Sequence, residues 1–377
     1  MTAPIPLIDL AAQQAEISGE ISRGFARVIE RTAFILGEEV REFEEAFAGF
    51  CGVPHCIGVG NGTDAIELIV RALGLGPQDE VLLPANTFIA TALGVLRGGA
   101  RPVLVDCDEH HLMDPQQVED RITPRTRALL PVHLFGQTAE METLREIAGR
   151  RGLIMLEDAA QAQGAKRHGS TAGSLGLAAA FSFYPGKNLG AYGDAGAVTT
   201  SSDEIAGRLR KLRNWGSERK YHHPEIGFNS RLDTLQAVVL AAKLRRLDAW
   251  NEARRQAAAR YDRLLAGIEG VQRPRTLPGN EHIWHLYVVR VPRRDEVLAK
   301  LQAEGISAGI HYPTPLHLHG ALRELGYREG DFPASEETAR EILSLPLYPH
   351  ITVEQQERVA DSLCRAVGAK APEEAGA

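Results

Sequence analysis

The chain has little of several things that would have fixed its class. It holds only four cysteines, four methionines and three tryptophans in 377 residues. Cys51, Cys56, Cys107 and Cys364 show no zinc-site spacing, and a chain of this length needs no disulfide framework, so reduced structural thiols are expected. There is no basic tract and the net charge is -7, which argues against nucleic acid as a partner. No apolar run is long enough to span a bilayer, and the opening MTAPIPLIDL lacks a charged-then-apolar leader. A cytoplasmic protein with no membrane partner is therefore expected. No P-loop or internal repeat occurs. The dinucleotide fingerprint fails too, because Thr63 stands where Gly58 and Gly60 would require a third glycine. Lysine is scarce, with seven against thirty-five arginines, so a lysine inside an apolar stretch stands out.

What is present is the composition of a large soluble protein, 44% hydrophobic and 24% charged, with enough chain for two domains. Apolar residues at every fourth position (Ile17, Ile21, Phe25, Ile29) predict a helix over Gln13–Arg31, and a second is expected over Glu38–Phe50. Short apolar strands then alternate with helices. Strands are expected at His55–Val59, Glu80–Leu83, Pro102–Val105, Ala128–Val132 and Leu153–Leu156, with helices such as Asp64–Leu73, Ile89–Arg97 and Met141–Arg150 between them. This alternation predicts an α/β fold with a mostly parallel sheet covered on both faces. Ligands of such sheets sit beyond the carboxyl ends of the strands. That rule points to Asn61–Asp64, Ala85–Phe88, Asp106–Asp108 and Glu157–Gln161. A long helical stretch, Leu232–Leu265, is expected to link a large domain (1–245) to a smaller α+β domain (246–377). The smaller unit would carry strands at His285–Val291 and Ile306–Ile310, and helices at Asp295–Glu304, Ser335–Leu343 and Val353–Val367. The tail from Ala371 is expected to be disordered.

Several of these segments carry chemistry. In Phe181-Ser182-Phe183-Tyr184-Pro185-Gly186-Lys187-Asn188, Lys187 follows an apolar strand. An amine in an apolar site has a lowered pKa and can act as a nucleophile toward a carbonyl, above all that of pyridoxal phosphate (PLP). It could equally be a strand-end lysine reaching out to solvent. In Asn61-Gly62-Thr63-Asp64 a glycine and a hydroxyl open a helix, which suits a phosphate or an ordinary capped turn. Glu157 and Asp158 end a strand, and alternation puts them on opposite faces. Asp158 is the one expected to face the site, where it could pair with a protonated pyridine nitrogen or simply cap the next helix. Gln161 could donate to a phenolic oxygen, Phe88 could stack on a flat ring or pack in the core, and Ser182 could reach a phosphate oxygen. Asn229, in the turn Gly227–Asp233, is a further phosphate donor. His317-Leu318-His319 lacks the Cys, Asp or Glu that would complete a metal set, so no metal is expected.

The segments NGTDA, EDAAQAQGA, FSFYPGKNLGAYGDAGAV, FNSRLD and IHYPTPLHLHGAL occur in this order across the chain. Together they resemble the DegT/DnrJ-type sugar aminotransferases, PLP enzymes of the aspartate aminotransferase fold. The resemblance runs from PLIDLAAQQ to SLPLYPH. It implies that Lys187 holds the cofactor as a Schiff base and later shuttles a proton, and that Asp158 pairs with the ring nitrogen. It also implies that Gln161 contacts the phenolate, that Phe88 stacks, and that Gly62, Thr63 and Ser182 hold the phosphate. Asn229 is then expected to reach the cofactor phosphate of a neighbouring subunit, making the active unit a homodimer with shared sites. Tyr184, Tyr221, Tyr312 and His317 lie in segments resembling the family's substrate side and are candidate sugar or nucleotide contacts. Relatives often carry His at the position of Gln163, a departure expected to affect a contact near the cofactor's edge.

The implied reaction moves an amino group from an amino acid, expected to be glutamate, to the ketone of a TDP- or UDP-linked deoxysugar. Relatives that replace the lysine by histidine are dehydratases, so Lys187 favours transamination. The opening LIDLAAQQ and the KYHHPEIGFNSRLD loop look most like the branch that aminates C3. A 4-keto sugar or keto-cyclitol acceptor, and a PLP-binding sensor without turnover, are the alternatives.

Overall fold

The computed structural model describes residues 3–369. The tail from Ala371, expected to be disordered, lies outside them. The chain opens with two helices, α1 (Leu10–Arg31) and α2 (Glu38–Cys51). Strands and helices then alternate: β1 (His55–Val59), α3 (Gly62–Ala72), β2 (Glu80–Pro84), α4 (Ile89–Gly98) and β3 (Arg101–Val105). β4 (Thr126–Leu129) and β5 (Ile154–Asp158) follow, then two short strands, β6 (Lys166–Arg167) and β7 (Ser170–Thr171), and finally β8 (Ala178–Ser182) and β9 (Gly196–Thr200).

Seven of these strands form one sheet in the order β1-β9-β8-β5-β4-β2-β3. All neighbours are parallel except those of β9, which runs antiparallel to both β1 and β8. Apolar clusters cover both faces. One packs Ile66, Ile69 and Val70 of α3 against Val81, Leu83 and Leu156. The other packs Phe43 and Phe47 of α2 against Phe181 and Phe183. With both faces covered, the strands read as near-continuous apolar runs, which is why they were legible.

The expected long helix over Leu232–Leu265 is two helices, Thr234–Leu244 and Leu247–Leu264, broken at Arg245-Arg246. Beyond them, β10 (Asn280–Glu281) joins β6 and β7 in a three-stranded sheet, while β11 (Tyr287–Arg290) pairs antiparallel with β12 (Ile342–Leu345). Two expectations fail here. Ile306–Ile310 makes only isolated bridges, Ile306 to Ile5 and Gly309 to Ser344. The helix expected over Ser335–Leu343 runs over Pro333–Glu341 instead, and Ile342-Leu343-Ser344-Leu345 leaves it directly as β12. Pairing with β11 overrides the helical pattern at that point. Among the described residues no helix is long and apolar enough to cross a membrane.

Candidate active site

The carboxyl ends of β1, β2, β5 and β8 face one cavity of ≈ 520 Å³, closed from the other side by residues 285–286 and 311–312. Gly62, Thr63, Phe88, Asp158, Gln161, Ser182, Tyr184, Lys187 and Tyr312 all line it. Nine of the twelve expected site residues are thus brought together. The strand-end rule fails at Asp106–Asp108. Asp106 is buried and accepts hydrogen bonds from the Ala334 and Ser335 backbone N–H groups (2.9 and 2.8 Å), capping a helix.

β5 ends in two acids with opposite surroundings. Glu157 is buried behind the sheet and accepts from Gly173, Leu175 and Gly176 N–H (2.7–2.8 Å) and from the His133 ring at 2.9 Å. It is fully satisfied and structural. Asp158 faces the cavity. It accepts from Thr91 Oγ1 at 2.8 Å and from Ala160 N–H at 3.1 Å, which leaves acceptor capacity on both oxygens. Burial pushes its carboxyl upward, against the opposing pull of those bonds and of Lys187.

Lys187 sits in the turn after β8, its N–H donating to Tyr184 O at 2.8 Å. Burial lowers its amine to about 8, and only the Asp158 charge opposes that shift. Asn188, the next residue, anchors the turn. Its side-chain amide donates to Asn251 Oδ1 and Ile283 O (2.8 and 3.2 Å), and its Oδ1 lies 3.1 Å from His285 Nδ1.

α3 opens at the cavity floor. Asn61 Oδ1 accepts from Asp64 N–H at 2.9 Å, and the first helical residues, Gly62 and Thr63, line the cavity. A Cβ on Gly62 would come within 2.7 Å of Ser182 Cβ. Only glycine therefore allows the helix start to close on β8 and form a tight anion-sized crook. Gln161 Oε1 accepts from Phe135 N–H at 2.7 Å, and its Nε2 donates to Tyr312 Oη at 3.0 Å. That fixes the amide with its NH₂ end toward the cavity. Phe88 is 51% exposed, and its ring centroid lies 5.1 Å from that of Tyr312.

These residues fit PLP. They offer a desolvated amine, a buried carboxylate with spare acceptor capacity, an uncovered aromatic ring and a helix start framed by hydroxyls. Three expected residues lie elsewhere. His317 is buried away from the cavity, its Nε2 2.9 Å from Glu336 Oε1 and its ring packed on Phe332; a side chain enclosed in this way cannot touch a substrate in the cavity. Tyr221 is 85% exposed on a surface loop, and Asn229 is also exposed. Gln163 does not reach the cavity edge. It is buried and braces the backbone by donating to Ser182 O at 2.8 Å and Ala160 O at 3.1 Å.

Sequence reasoning missed Thr91, His285, His311, Leu7 and Ile8, all of which line the cavity. Burial holds His311 down at about 4 and pushes His285 well below its usual range. Both imidazoles are neutral. No local motif marks any of these residues, because each arrives from a different part of the chain.

A model of the DegT/DnrJ/EryC1/StrS aminotransferase family matches residues 15–364. The dTDP-3-amino-3,4,6-trideoxy-alpha-D-glucose transaminase of Streptomyces venezuelae is 48% identical over 363 residues, 96% of each chain. A Saccharopolyspora erythraea protein named erythromycin biosynthesis sensory transduction protein EryC1 is 47% identical over 95% of this chain and 98% of its own. The X-ray structure of S. venezuelae DesV in complex with ketimine intermediate superposes with a TM-score of 0.95 at 48% identity, covering 97% of this chain and 99% of that one.

Proposed function

The chain belongs to the DegT/DnrJ/EryC1/StrS aminotransferase family, and from that membership we propose that it transfers an amino group from glutamate to the C3 ketone of a TDP- or UDP-linked deoxysugar. It is a PLP-dependent aminotransferase acting on nucleotide-linked keto sugars. The position on the sugar, the nucleotide and the donor are the parts we infer. C3 is supported by the S. venezuelae relative, whose name places the new amine there. The observation that carries the reading is the buried Lys187 amine opposite the Asp158 carboxylate in one cavity.

PLP, when bound, supplies an aldehyde that takes up the donor's amine and a cationic ring that draws electrons from the carbon being deprotonated. The chain's own residues do the rest. Lys187 Nζ would hold the cofactor and, once displaced by the donor's amine, would serve as the group that takes up and gives back the proton moved in each half of the transfer. Asp158, fixed in place by Thr91 and Ala160, would pair with the ring nitrogen. Gly62, Thr63 and Ser182 would hold the phosphate. Gln161 has one amide hydrogen left over after Tyr312 and could offer it to the phenolic oxygen. Phe88 would cover the ring, and Tyr184 and Tyr312 would contact the sugar.

Neither Asn229 nor Tyr221 lines this chain's own cavity. We assign both to the site of a second copy in a homodimer. Trp215 and Ile226 on the same loop region are exposed apolar groups, as an unpaired interface would leave them. Four free, buried cysteines fit a reducing compartment, and the cytoplasm is the location we propose. A sensor without turnover has no need for an amine poised to move protons, so turnover is the reading adopted.

The test is a two-step assay. Glutamate alone should shift the bound cofactor's absorbance from the visible to the near ultraviolet. A 3-keto TDP-sugar should then restore it, faster than 4-keto or cyclitol acceptors, with mass and NMR fixing the aminated carbon. A cofactor that glutamate never converts would replace this reading by the sensor.

A further inference from the structure

The lysine-bearing turn is held by a line of buried amides. Gln163 Nε2 donates to Ser182 O and Ala160 O (2.8 and 3.1 Å), behind the ends of β8 and β5. Gln163 O accepts from Asn251 Nδ2 at 3.0 Å, and Asn251 Oδ1 accepts from Asn188 Nδ2 at 2.8 Å. Asn188 Nδ2 also donates to Ile283 O at 3.2 Å. Two backbone carbonyls fix which way these amides face. A carbonyl oxygen only accepts, so Gln163 O requires the NH₂ end of Asn251, and Ile283 O requires the NH₂ end of Asn188. Asn188 therefore turns its oxygen to His285 Nδ1, 3.1 Å away. That oxygen can only accept, so Nδ1 carries the hydrogen. The imidazole is neutral. Burial, then the charges of Lys187 and Arg254, push it well below its usual range, and His311 and His282 act in the same direction. Its Nε2 is left as a bare lone pair. Among the described residues no group pairs with Nε2, and that atom is not sealed inside the protein. His285 lines the cavity, so the lone pair opens into it.

We propose that His285 Nε2 is the acceptor that holds Lys187 while that amine is free of the cofactor and carries the proton moved in the transfer. This rests on the PLP reading above. His285 is then a positioning residue for Lys187, and Asn188 sets the tautomer that lets it serve. An ammonium in a buried site needs acceptors for its N–H groups. Asp158 is the charge that supports the Lys187 ammonium. With PLP bound, that carboxylate faces the ring's own cation, which offsets its support. A fixed lone pair replaces part of what is lost. Lys187 is near enough for its charge to act on His285. Arg254, whose Nη1 donates to His285 O at 3.4 Å, adds a second cation. Between two cations His285 does not take the proton itself, and the proton stays on Lys187 to be given back. His311 is the other imidazole of the cavity wall, with its Nδ1 2.8 Å from Ser344 Oγ. A hydroxyl can donate or accept, so that contact leaves the His311 tautomer open. The geometry singles out His285.

Two measurements test this. The first is the rate at which apo-protein captures PLP as a function of pH, read by the visible absorbance. An acceptor favours the charged amine, so its loss lowers the Lys187 pKa. His285→Leu should move the midpoint of the capture profile down by about one pH unit, the scale of one hydrogen bond to a charged group. His285→Gln, which can place its amide oxygen near the lost Nε2, should bring the midpoint back to within about a third of a unit of wild type. A cavity merely opened to water would raise the midpoint instead. A midpoint unmoved or raised in His285→Leu, or one that falls as far in His285→Gln, would overturn the proposal. The second measurement needs no substitution in the molecule observed. Nitrogen NMR of histidine-labelled holoenzyme, with the His285 signals assigned by their loss in His285→Gln, should show a hydrogen on Nδ1 alone. The Nε2 signal should move upfield when glutamate converts the cofactor and frees Lys187. A hydrogen found on Nε2, or an Nε2 signal that stays put while that of His311 moves, would also overturn it. Wild-type apo-protein that takes up no PLP at any pH would overturn the reading of the preceding section, and this proposal with it, whatever the tautomer of His285.

Discussion

Among the described residues two lysines are pushed to about 8 by burial, and one of them lines the cavity proposed as the active site. Lys187 shares a cavity with Asp158, and the Asp158 charge opposes its shift. Lys243, on the helix Thr234–Leu244, is 3% exposed and has desolvation as the sole cause of its shift. Its nearest notable partner is the Tyr192 ring, with the ammonium 5.2 Å from the centroid. The same titration therefore comes from two different environments. Burial alone makes an amine easier to deprotonate; a facing carboxylate and space for a ligand give that amine something to do.

The largest test of this contrast is removal of each amine. Lys187→Ala should cut transfer by about 10⁴-fold, near the upper end of what a positioned proton-transfer group provides, and should abolish the visible absorbance of the bound cofactor. Lys243→Met should leave both within about twofold, as for a site with no contact to the reacting atoms. Equal losses in the two variants, measured by coupled glutamate turnover, would break the comparison.

Asp158 comes next. Asp158→Asn keeps the shape and the bond from Thr91 but removes the charge. Turnover should fall by about 10²- to 10³-fold, the usual cost of losing one preorganised electrostatic partner. Glu157→Gln, one residue earlier, removes a charge that never faces the cavity. It should lower stability in a denaturant titration while leaving the cofactor spectrum of the folded fraction intact. A spectrum altered as much by Glu157→Gln as by Asp158→Asn would mean that the two faces of β5 are not as distinct as their hydrogen bonds imply.

A smaller effect lies in the pH dependence of cofactor capture. The Lys187 amine must be neutral to attack an aldehyde. With its pKa at about 8, the rate at which apo-protein takes up PLP should rise about tenfold per pH unit below 8 and level off above it. A plateau reached only near the ordinary lysine value would show that the amine is not desolvated.

The same physics explains what the sequence revealed. β5 and β8 are apolar runs that end abruptly in polar residues, and both faces of their sheet are covered. Their carboxyl ends, with Asp158, Ser182 and Lys187, were therefore readable from local pattern. Asp106 ends a strand in the same way but caps the helix Pro333–Glu341 from 228 residues away, and nothing local distinguishes it from Asp158. The far wall of the cavity was opaque for the same reason. Leu7, Thr91, His285 and His311 meet only after the segment before α1, α4 and the C-terminal unit have packed. His317 misled because an imidazole in a loop reads as a contact, whereas Glu336 nineteen residues later encloses it.

The smallest expected effect concerns Lys243 and stability alone. Its folded pKa, about 8, lies below the 10.5 of an ordinary lysine. Between those values the unfolded chain binds a proton that the folded chain does not, so stability rises with pH across that window. Below about pH 8 the full cost is present, up to about 3 kcal/mol at 1.36 kcal/mol per pKa unit. The Tyr192 contact and the packed methylene stem offset part of it. Lys243→Met keeps the stem and removes the charge. It should make the protein about 1 kcal/mol more stable at pH 7, with the gain shrinking toward zero by about pH 10.5. Urea titrations at pH 7, 9 and 10.5 would check the slope. A gain that stays constant across that range would locate the Lys243 ammonium in water, and the likeness between the two lysines would then be one of number only.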